Sequence, residues 1–333
     1  MEATLISFWG AVLALSILIY VLLDGFDLGV GILFGLNRSE EQRRDMMGSI
    51  APVWDGNETW LVVVGTVLFG AFPVVYSIFL SAFYLPVTLL LVALILRGVA
   101  FEFRYKTRRA RWVWDIGFVA GSAVASFVQG AAIGAMVKGL AVEGRNFVGG
   151  PFDWLAPFPL LCGFGLVAGY ALLGAAWLVL KTDGELRDWA YRWLPRLMNT
   201  VVAFVALALL MTLIGDFRVV HRWLAAPWLL LLPFAASIAA GQLCLAAEAR
   251  GPDWQPYAMA SLLFFTAYLM LAGSFWPWVV PYHLTLVDAA APASSLAFLF
   301  WGAGVVVLPV ILIYTGAVYW VFRGKVQSAK QYH

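Results

Sequence analysis

Residues 5–36 read LISFWGAVLALSILIYVLLDGFDLGVGILFGL, a stretch without a basic residue whose only charges are Asp24 and Asp27. At about 1.5 Å per residue, a helix of this length exceeds the roughly 30 Å hydrocarbon layer of a bilayer. The run is too long for the core of a signal peptide and lacks a basic n-region and a small-residue cleavage site. We therefore expect a permanent first membrane helix that carries two carboxylates inside the bilayer.

The composition extends this conclusion to the whole chain. Of 333 residues, 63% are hydrophobic and 12% charged, against roughly 45–50% and 25% in soluble domains, so a water-soluble fold is excluded. The net charge of +2 comes from scattered residues with no basic stripe, which excludes a nucleic-acid partner. Cys162 and Cys244 lie in apolar runs without metal-site spacing and are interpreted as packing residues.

Nine apolar windows are long enough to cross a bilayer. The sequence thus predicts an all-α polytopic membrane protein with a single integral membrane domain over residues 1–333. The predicted helices lie near residues 5–36, 49–72, 76–103, 112–137, 158–180, 197–215, 228–247, 257–280 and 295–322.

The basic residues indicate the orientation. Sixteen of the 21 Lys and Arg fall on the odd-numbered connections and the C-terminal end, Arg108 and Lys330 among them, whereas four fall on the even-numbered connections. Cytoplasmic loops retain the basic excess. We therefore expect a periplasmic N-terminus, a cytoplasmic C-terminus and an odd number of helices.

Charged residues inside the first three predicted helices form the candidate site, because each is costly in a membrane. Asp24 and Asp27 are predicted roughly 14–18 Å from the cytoplasmic end of their helix, and Asp55 and Glu58 roughly 9 and 14 Å from the same side. Arg97 is about 9 Å deep in the third helix. Consecutive helices with short connections are expected to be neighbours, so these charges are expected to form one cluster.

Two interpretations of this cluster remain open. A row of acids that opens to the cytoplasm and ends within the bilayer is typical of a proton half-channel, whereas an acid–Arg97 clamp would only hold three helices together. The sequence does not decide between them for Asp24, Asp27 and Glu58, and it favours proton conduction for Asp55.

The sequence offers no redox centre of its own. His221, His283 and His333 all lie outside the middle of the predicted helices, so no pair is placed to ligate a haem within the bilayer. There is also no nucleotide-binding loop, metal-binding spacing or nucleophile elbow. We expect a chain that binds no cofactor or metal by ligation and that moves protons.

Five segments together resemble subunit II of cytochrome bd-type quinol oxidases. They are DGFDLG at 24–29, MMGSIAP at 46–52, WDGNETW at 54–60, LRGVAFEFR at 96–104 and LTLVDAA at 284–290. The short connections and the LRGVA form resemble the compact, cyanide-insensitive branch. The match covers both ends of the chain, whereas the region from the fourth to the seventh helix shows little that can be matched.

The resemblance implies two four-helix bundles plus a peripheral helix, paired with a similarly folded subunit I in the bacterial inner membrane. Subunit I would carry two b-type haems and one d-type haem, and the complex would reduce O2 to water with electrons from a ubiquinol-type quinol. In this family the residue matching Asp55 is associated with a proton route, and Trp54 is its packed neighbour. Some members have small single-helix subunits or a structural quinone; the sequence leaves both open.

A stand-alone proton-coupled membrane transporter is the alternative. It would favour paired helix breaks in both halves of the chain, but the glycines gather around one acidic cluster. A scaffold with purely structural charges is a third interpretation. It predicts that the substitution Asp55→Asn leaves turnover intact.

Overall fold

The computed structural model describes residues 2–107, 109–215 and 217–326, with the backbone alone at 217–220. Arg108, Lys330 and His333, named above, lie outside these residues. Twelve α-helices are present in the described chain: α1 Glu2–Phe34, α2 Glu40–Ile50, α3 Trp54–Ala71, α4 Pro73–Phe103, α5 Arg111–Lys138, α6 Pro157–Lys181, α7 Gly184–Gly215, α8 Phe217–Ala225, α9 Leu231–Ala249, α10 Trp254–Phe275, α11 Ala293–Leu299 and α12 Leu308–Val321.

Shorter elements complete the fold. Residues Phe300–Val307 form a π-helical segment between α11 and α12, and 3₁₀ turns cover Asp153–Leu155 and Pro227–Leu230. Two antiparallel hairpins pair β1 (Val142–Glu143) with β2 (Asn146–Phe147) and β3 (Trp278–Val280) with β4 (Leu284–Thr285). The predicted all-α class is confirmed.

Within the described residues, eight helical stretches are long and apolar enough to span a membrane. They are Glu2–Phe34, Pro73–Phe103, Arg111–Lys138, Pro157–Lys181, Gly184–Gly215, Pro227–Ala249, Trp254–Phe275 and Ala293–Val321. Helix α3 is not among them because its 18 residues open with the polar WDGNET segment. It nevertheless packs against α1.

Helix α3 runs antiparallel to α1. Near its beginning, the Asn57 side chain donates a hydrogen bond to the Leu23 carbonyl of α1. At the other end of α3, the Ala71 carbonyl accepts a hydrogen bond from the Ala291 amide. Close by in sequence, the Leu296 carbonyl accepts a hydrogen bond from the Trp9 indole, near the start of α1. The end of α3 and the start of α1 therefore both lie beside α11.

Three predicted helix boundaries differ from the structure by five residues or more. The helix predicted from residue 49 begins at Trp54, because Pro52 lies in a turn that separates it from the additional helix α2. The helix predicted from 197 begins at Gly184, because the amphipathic segment before it is continuous with the membrane run. The helix predicted to reach 280 ends at Phe275, because Pro277 has no amide hydrogen to continue it.

These boundaries change the predicted depths of the acids. Asp55 lies in the first turn of α3 and Glu58 one turn further, so they are roughly 1.5 and 6 Å from the start of the helix rather than 9 and 14 Å. With α1 ending at Phe34, Asp24 and Asp27 are roughly 10–15 Å from its end.

Helix α1 lies at the centre of the packing and contacts α3, α5, α6 and α10. Its second half is fully buried from Asp24 to Val30. The approach of α1 to α6 depends on glycine, because a Cβ atom at Gly29 would overlap the Tyr170 carbonyl oxygen and one at Gly174 would overlap the backbone of Gly29. This close contact fixes the position of the α1 acids relative to α6.

Candidate functional site

Four of the predicted charges meet where α1, α3 and α4 are in contact. Asp24 and Asp27 are 0% exposed and Arg97 is 1% exposed. The Arg97 Nη1 atom lies 2.6 Å from Glu58 Oε1 and 3.6 Å from Asp24 Oδ1. One guanidinium therefore serves two carboxylates, whereas the sequence predicted a single cluster in which Arg97 neutralises one of them. We call Asp24, Asp27, Glu58 and Arg97 the acid–arginine cluster.

Asp27 is held by a residue that the sequence analysis did not single out. Asn57 donates from Nδ2 to Asp27 Oδ2 at 2.6 Å, and its Oδ1 accepts from the Tyr319 hydroxyl at 3.0 Å. The last helix, α12, is thereby connected to the cluster. Asn57 was present in the WDGNETW segment, but nothing in that segment indicates its partner on α12.

Several polar atoms of the cluster are buried without a hydrogen-bond partner among the described residues. They are both Asp24 oxygens, Asp27 Oδ1, and Nε and Nη2 of Arg97. Buried charged atoms are costly unless they are hydrogen-bonded. Three acids beside one cation also cannot all be balanced as carboxylates, so the arrangement favours protonation of at least one acid.

Asp55 and Trp54 lie at the edge of the cluster. Asp55 is exposed on the first turn of α3 and is not brought into contact with Arg97, whereas Glu58 is three residues later and 24% exposed. Residues three apart on a helix are neighbours on one face. The Trp54 ring packs against Phe101 of α4 with 5.3 Å between ring centroids. The acids thus run inward from the exposed Asp55 to the buried Asp24.

A second polar group reaches the cluster from α5 and α6. Gln129 of α5 donates from Nε2 to the Tyr20 hydroxyl oxygen at 2.8 Å, and the Tyr170 hydroxyl of α6 donates to Gln129 Oε1 at 3.0 Å. Tyr20 precedes Asp24 by one helical turn. The sequence analysis missed all three residues; the one available signal was the amide of Gln129 inside an apolar run.

The end of the molecule nearest Asp55 carries two ion-pair networks. In the first, the fully buried Arg104 guanidinium pairs with Glu40 at 2.8 Å and with Asp115 at 2.5 Å. Partial burial alone would raise the pKa of Glu40, but the hydrogen bond and charge of Arg104, with the charge of Arg111, outweigh it and lower this pKa. The network ties α2 to α4 and α5.

The second network holds the C-terminal end of the described chain. Asp253, before α10, accepts from Arg187 at 2.6 Å and from Lys325 at 2.6 Å. Burial would raise the pKa of Asp253, but these two hydrogen bonds outweigh it and lower the pKa. The Lys181 ammonium also donates to the Phe322 carbonyl at 2.5 Å. Residues after α12 are thus fixed against α6 and α10.

The described residues do not fit a haem held by this chain alone. His221 and His283 have exposed side chains and lie outside the acid–arginine cluster. Among the residues that the structure describes, no three His, Cys, Asp or Glu side chains are grouped to hold a metal ion. The chemistry that these residues support is proton exchange and ion pairing.

The fold and the site define a multi-pass helical membrane protein with a buried acid–arginine cluster. The family model for cytochrome bd terminal oxidase subunit II matches residues 5–322. The chain therefore belongs to this family, as the sequence segments predicted, and is a subunit of a respiratory terminal oxidase in the bacterial inner membrane.

Relatives and one solved structure agree with this assignment. The chain is 31% identical to cytochrome bd-I ubiquinol oxidase subunit 2 of Escherichia coli K12, over 96% of this chain and 94% of that protein. It is 32% identical to cytochrome bd ubiquinol oxidase subunit 2 of Bacillus subtilis, over 62% and 63% of the two chains. A chain of the bd oxidase from Geobacillus thermodenitrificans superposes with a TM-score of 0.76 at 16% identity, covering 95% of this chain and 99% of that one, which shows the shared fold.

Proposed function

We propose that this chain is the haem-free subunit II of a bd-type quinol:oxygen oxidoreductase, that it stabilises a haem-bearing subunit I, and that it supplies a proton route from the cytoplasm. The observation that carries the proposal is the acid–arginine cluster, where Asp24 and Glu58 share one buried cation and a third acid, Asp27, is buried on the same helix as Asp24. A cluster that served only as a clamp would need one carboxylate for Arg97. The additional acids give it sites for exchangeable protons.

We further propose nine membrane crossings, with α3 as the ninth, in two four-helix bundles plus a peripheral helix. The hydrogen bond from Asn57 of α3 to α1, and the position of the other end of α3 beside α11 with the start of α1, support this count. An N-terminus in the periplasm is supported by the two ion-pair networks, which gather Arg43, Arg104, Arg187 and Lys325 at one end of the molecule. Cytoplasmic ends carry such a basic excess.

The proton route begins at Asp55. Its exposed carboxylate takes up a proton at the cytoplasmic end of α3, and Glu58 receives the proton one turn deeper. Arg97 holds Glu58 in place through the 2.6 Å ion pair. The matching relatives are named ubiquinol oxidases, so the substrates of the complex would be a ubiquinol-type quinol and O2. The two b-type haems and the d-type haem, carried by subunit I, would supply the electron transfer and the reduction of O2.

Family membership does not favour the stand-alone transporter. A structural quinone and small single-helix subunits stay predictions of the family resemblance.

The test uses the purified two-subunit complex with Asp55→Asn and Glu58→Gln, each compared with Glu143→Gln. Glu143 is an exposed acid on the β1–β2 hairpin, far in sequence from the cluster. We expect quinol-driven oxygen consumption to fall about tenfold or more in the first two variants, within the range for loss of a proton-transferring group. Haem absorption should remain unchanged, and Glu143→Gln should behave as wild type.

Two results would contradict the proposal. Full oxygen consumption in both Asp55→Asn and Glu58→Gln would show that no required proton passes these acids. A loss of haem absorption that parallels the loss of activity would show that the acids serve assembly rather than proton transfer.

A further inference from the structure

The hydrogen-bonded series Tyr170–Gln129–Tyr20 ends beside Asp24 of the acid–arginine cluster. Tyr170 is 0% exposed and Tyr20 is 5% exposed, so both ends of the series are buried, while Gln129 between them is partly exposed. Its members come from α6, α5 and α1, and its two hydrogen bonds measure 3.0 and 2.8 Å. The series is separate from Glu58, which approaches Arg97 from α3.

All donors in this series point toward Asp24. The Tyr170 hydroxyl donates to Gln129, and the Gln129 amide donates to the Tyr20 oxygen. The Tyr20 oxygen is thus occupied as an acceptor, and its proton is left for another group. Tyr20 and Asp24 are four residues apart on α1 and therefore lie on one face of the helix.

A series of this direction favours the carboxylate form of Asp24. A carboxylate only accepts hydrogen bonds, whereas a protonated carboxyl also has a proton to donate and needs an acceptor for it. Tyr20 offers a donor, which suits the carboxylate. Successive hydrogen bonds polarise one another, which strengthens the last donor. Neither Asp24 oxygen accepts a hydrogen bond from another described residue. The Tyr20 hydroxyl is therefore the donor that Asp24 can use.

The same series is unsuited to carry protons. A proton passing Gln129 would have to convert its amide to the imidic acid form, whereas hydroxyl and carboxyl groups exchange protons directly. Its effect is therefore electrostatic. It favours the charged form of Asp24, which would balance Arg97, whose Nη1 atom is 3.6 Å away.

We propose that Tyr20 is a positioning residue that keeps Asp24 as a fixed anion beside Arg97, so that Glu58 is the acid that takes up and releases the proton. This inference rests on the proton route proposed above. Glu58 suits that role because it is 24% exposed and lies one turn from Asp55, whereas Asp24 is fully buried.

The test compares Tyr20→Phe with Tyr268→Phe in the purified complex. Tyr268 is a matched control, since its hydroxyl also donates to α1, at the Ala14 carbonyl, but not to the cluster. Redox-triggered infrared difference spectra report the C=O band of protonated carboxyl groups. In the wild type we expect a band that Glu58→Gln removes and Asp24→Asn leaves in place.

In Tyr20→Phe, we expect an additional C=O band, and this band should disappear when Asp24→Asn is introduced as well. We also expect oxygen consumption to be slower by about tenfold, because one charge-assisted hydrogen bond contributes a factor of this size. Tyr268→Phe should give the wild-type spectrum and turnover within about twofold of the wild type.

The inference is overturned if Tyr20→Phe and Tyr268→Phe give the same spectrum, or if the wild-type band belongs to Asp24. Either outcome leaves the proton route intact as long as Asp55→Asn and Glu58→Gln slow turnover. Failure of the route itself is a different result, namely full activity in both of those variants.

Discussion

Removal of Arg97 tests the acid–arginine cluster most directly. In Arg97→Met the unbranched side chain is kept and the charge is lost, which leaves Asp24 and Glu58 without their cation. With an effective dielectric constant of about 20, separations of 3.6 and 2.6 Å correspond to Coulomb attractions of about 5 and about 6 kcal/mol. Most of this is offset by the cost of burying the charges. We therefore expect a net loss of about 3–5 kcal/mol, as for other buried pairs that lose one partner.

The assay is unfolding of the purified complex in mild detergent by increasing dodecyl sulphate, followed by tryptophan fluorescence. Arg145→Met is the control, because Arg145 is exposed and, within the described residues, its one hydrogen bond goes to the Asp288 carbonyl. Its free energy of unfolding should change by no more than about 0.5 kcal/mol. The double variant Arg97→Met with Asp24→Asn should recover at least about 1 kcal/mol, because it also removes one of the unpaired anions.

Two outcomes would refute this reasoning. If Arg97→Met loses no more than Arg145→Met, the ion pairs contribute nothing to the fold. If the effects of Arg97→Met and Asp24→Asn simply add, the two side chains do not share their charge in the folded complex.

Two further predictions concern the packing of α1 and the C-terminal network. Gly29→Ala should lower the free energy of unfolding by about 1–3 kcal/mol in the same titration, because its Cβ would overlap the Tyr170 carbonyl. Gly241→Ala is the control and should have no such cost, because no atom lies within 4 Å of the added Cβ. Equal effects of the two substitutions would contradict the close approach of α1 to α6. Because the folded pKa of Asp253 is lowered, its stabilisation is present above the unfolded value of about 3.9 and is lost as the pH falls through the folded pKa. The melting temperature of Asp253→Asn should therefore lie below that of the wild type at pH 7 and meet it below about pH 4, whereas a difference that does not depend on pH would exclude the ion pair as its cause.

Much of the candidate site could be predicted, because intramembrane charges are so rare. Asp24, Asp27, Glu58 and Arg97 stand out in apolar runs, and the short connections predicted that α1, α3 and α4 are neighbours. A single cluster followed from the need to neutralise buried charge, but the two acids that pair with Arg97 did not. Neutral polar residues gave weaker signals, since Asn57, Gln129 and Tyr20 are ordinary side chains until a partner from another helix is known.

Helix ends were the least predictable part of the fold. Hydropathy indicates which residues prefer lipid, but it does not show where backbone hydrogen bonding stops. The turn at Pro52 separates α2 from α3 within the segment that was predicted as one helix from residue 49. It places Asp55 in the first turn of α3. A helix that starts five residues later brings an acid about 7 Å closer to its end, so the depth of each acid depended on the structure.

By itself the sequence determined the membrane class, the helical content and the family, because composition, run length and a few polar segments suffice for these. It also determined which acids must be neutralised inside the bilayer. Only the tertiary structure decided how that is done: Arg97 divides its charge between Asp24 and Glu58, Asn57 joins Asp27 to Tyr319, and Tyr20 receives its hydrogen bond from α5. The physical reason is that the preference for a membrane can be summed from the hydrophobicity of each residue along the chain. Hydrogen bonds and ion pairs instead depend on distances of a few ångströms between side chains on helices that are far apart in the chain.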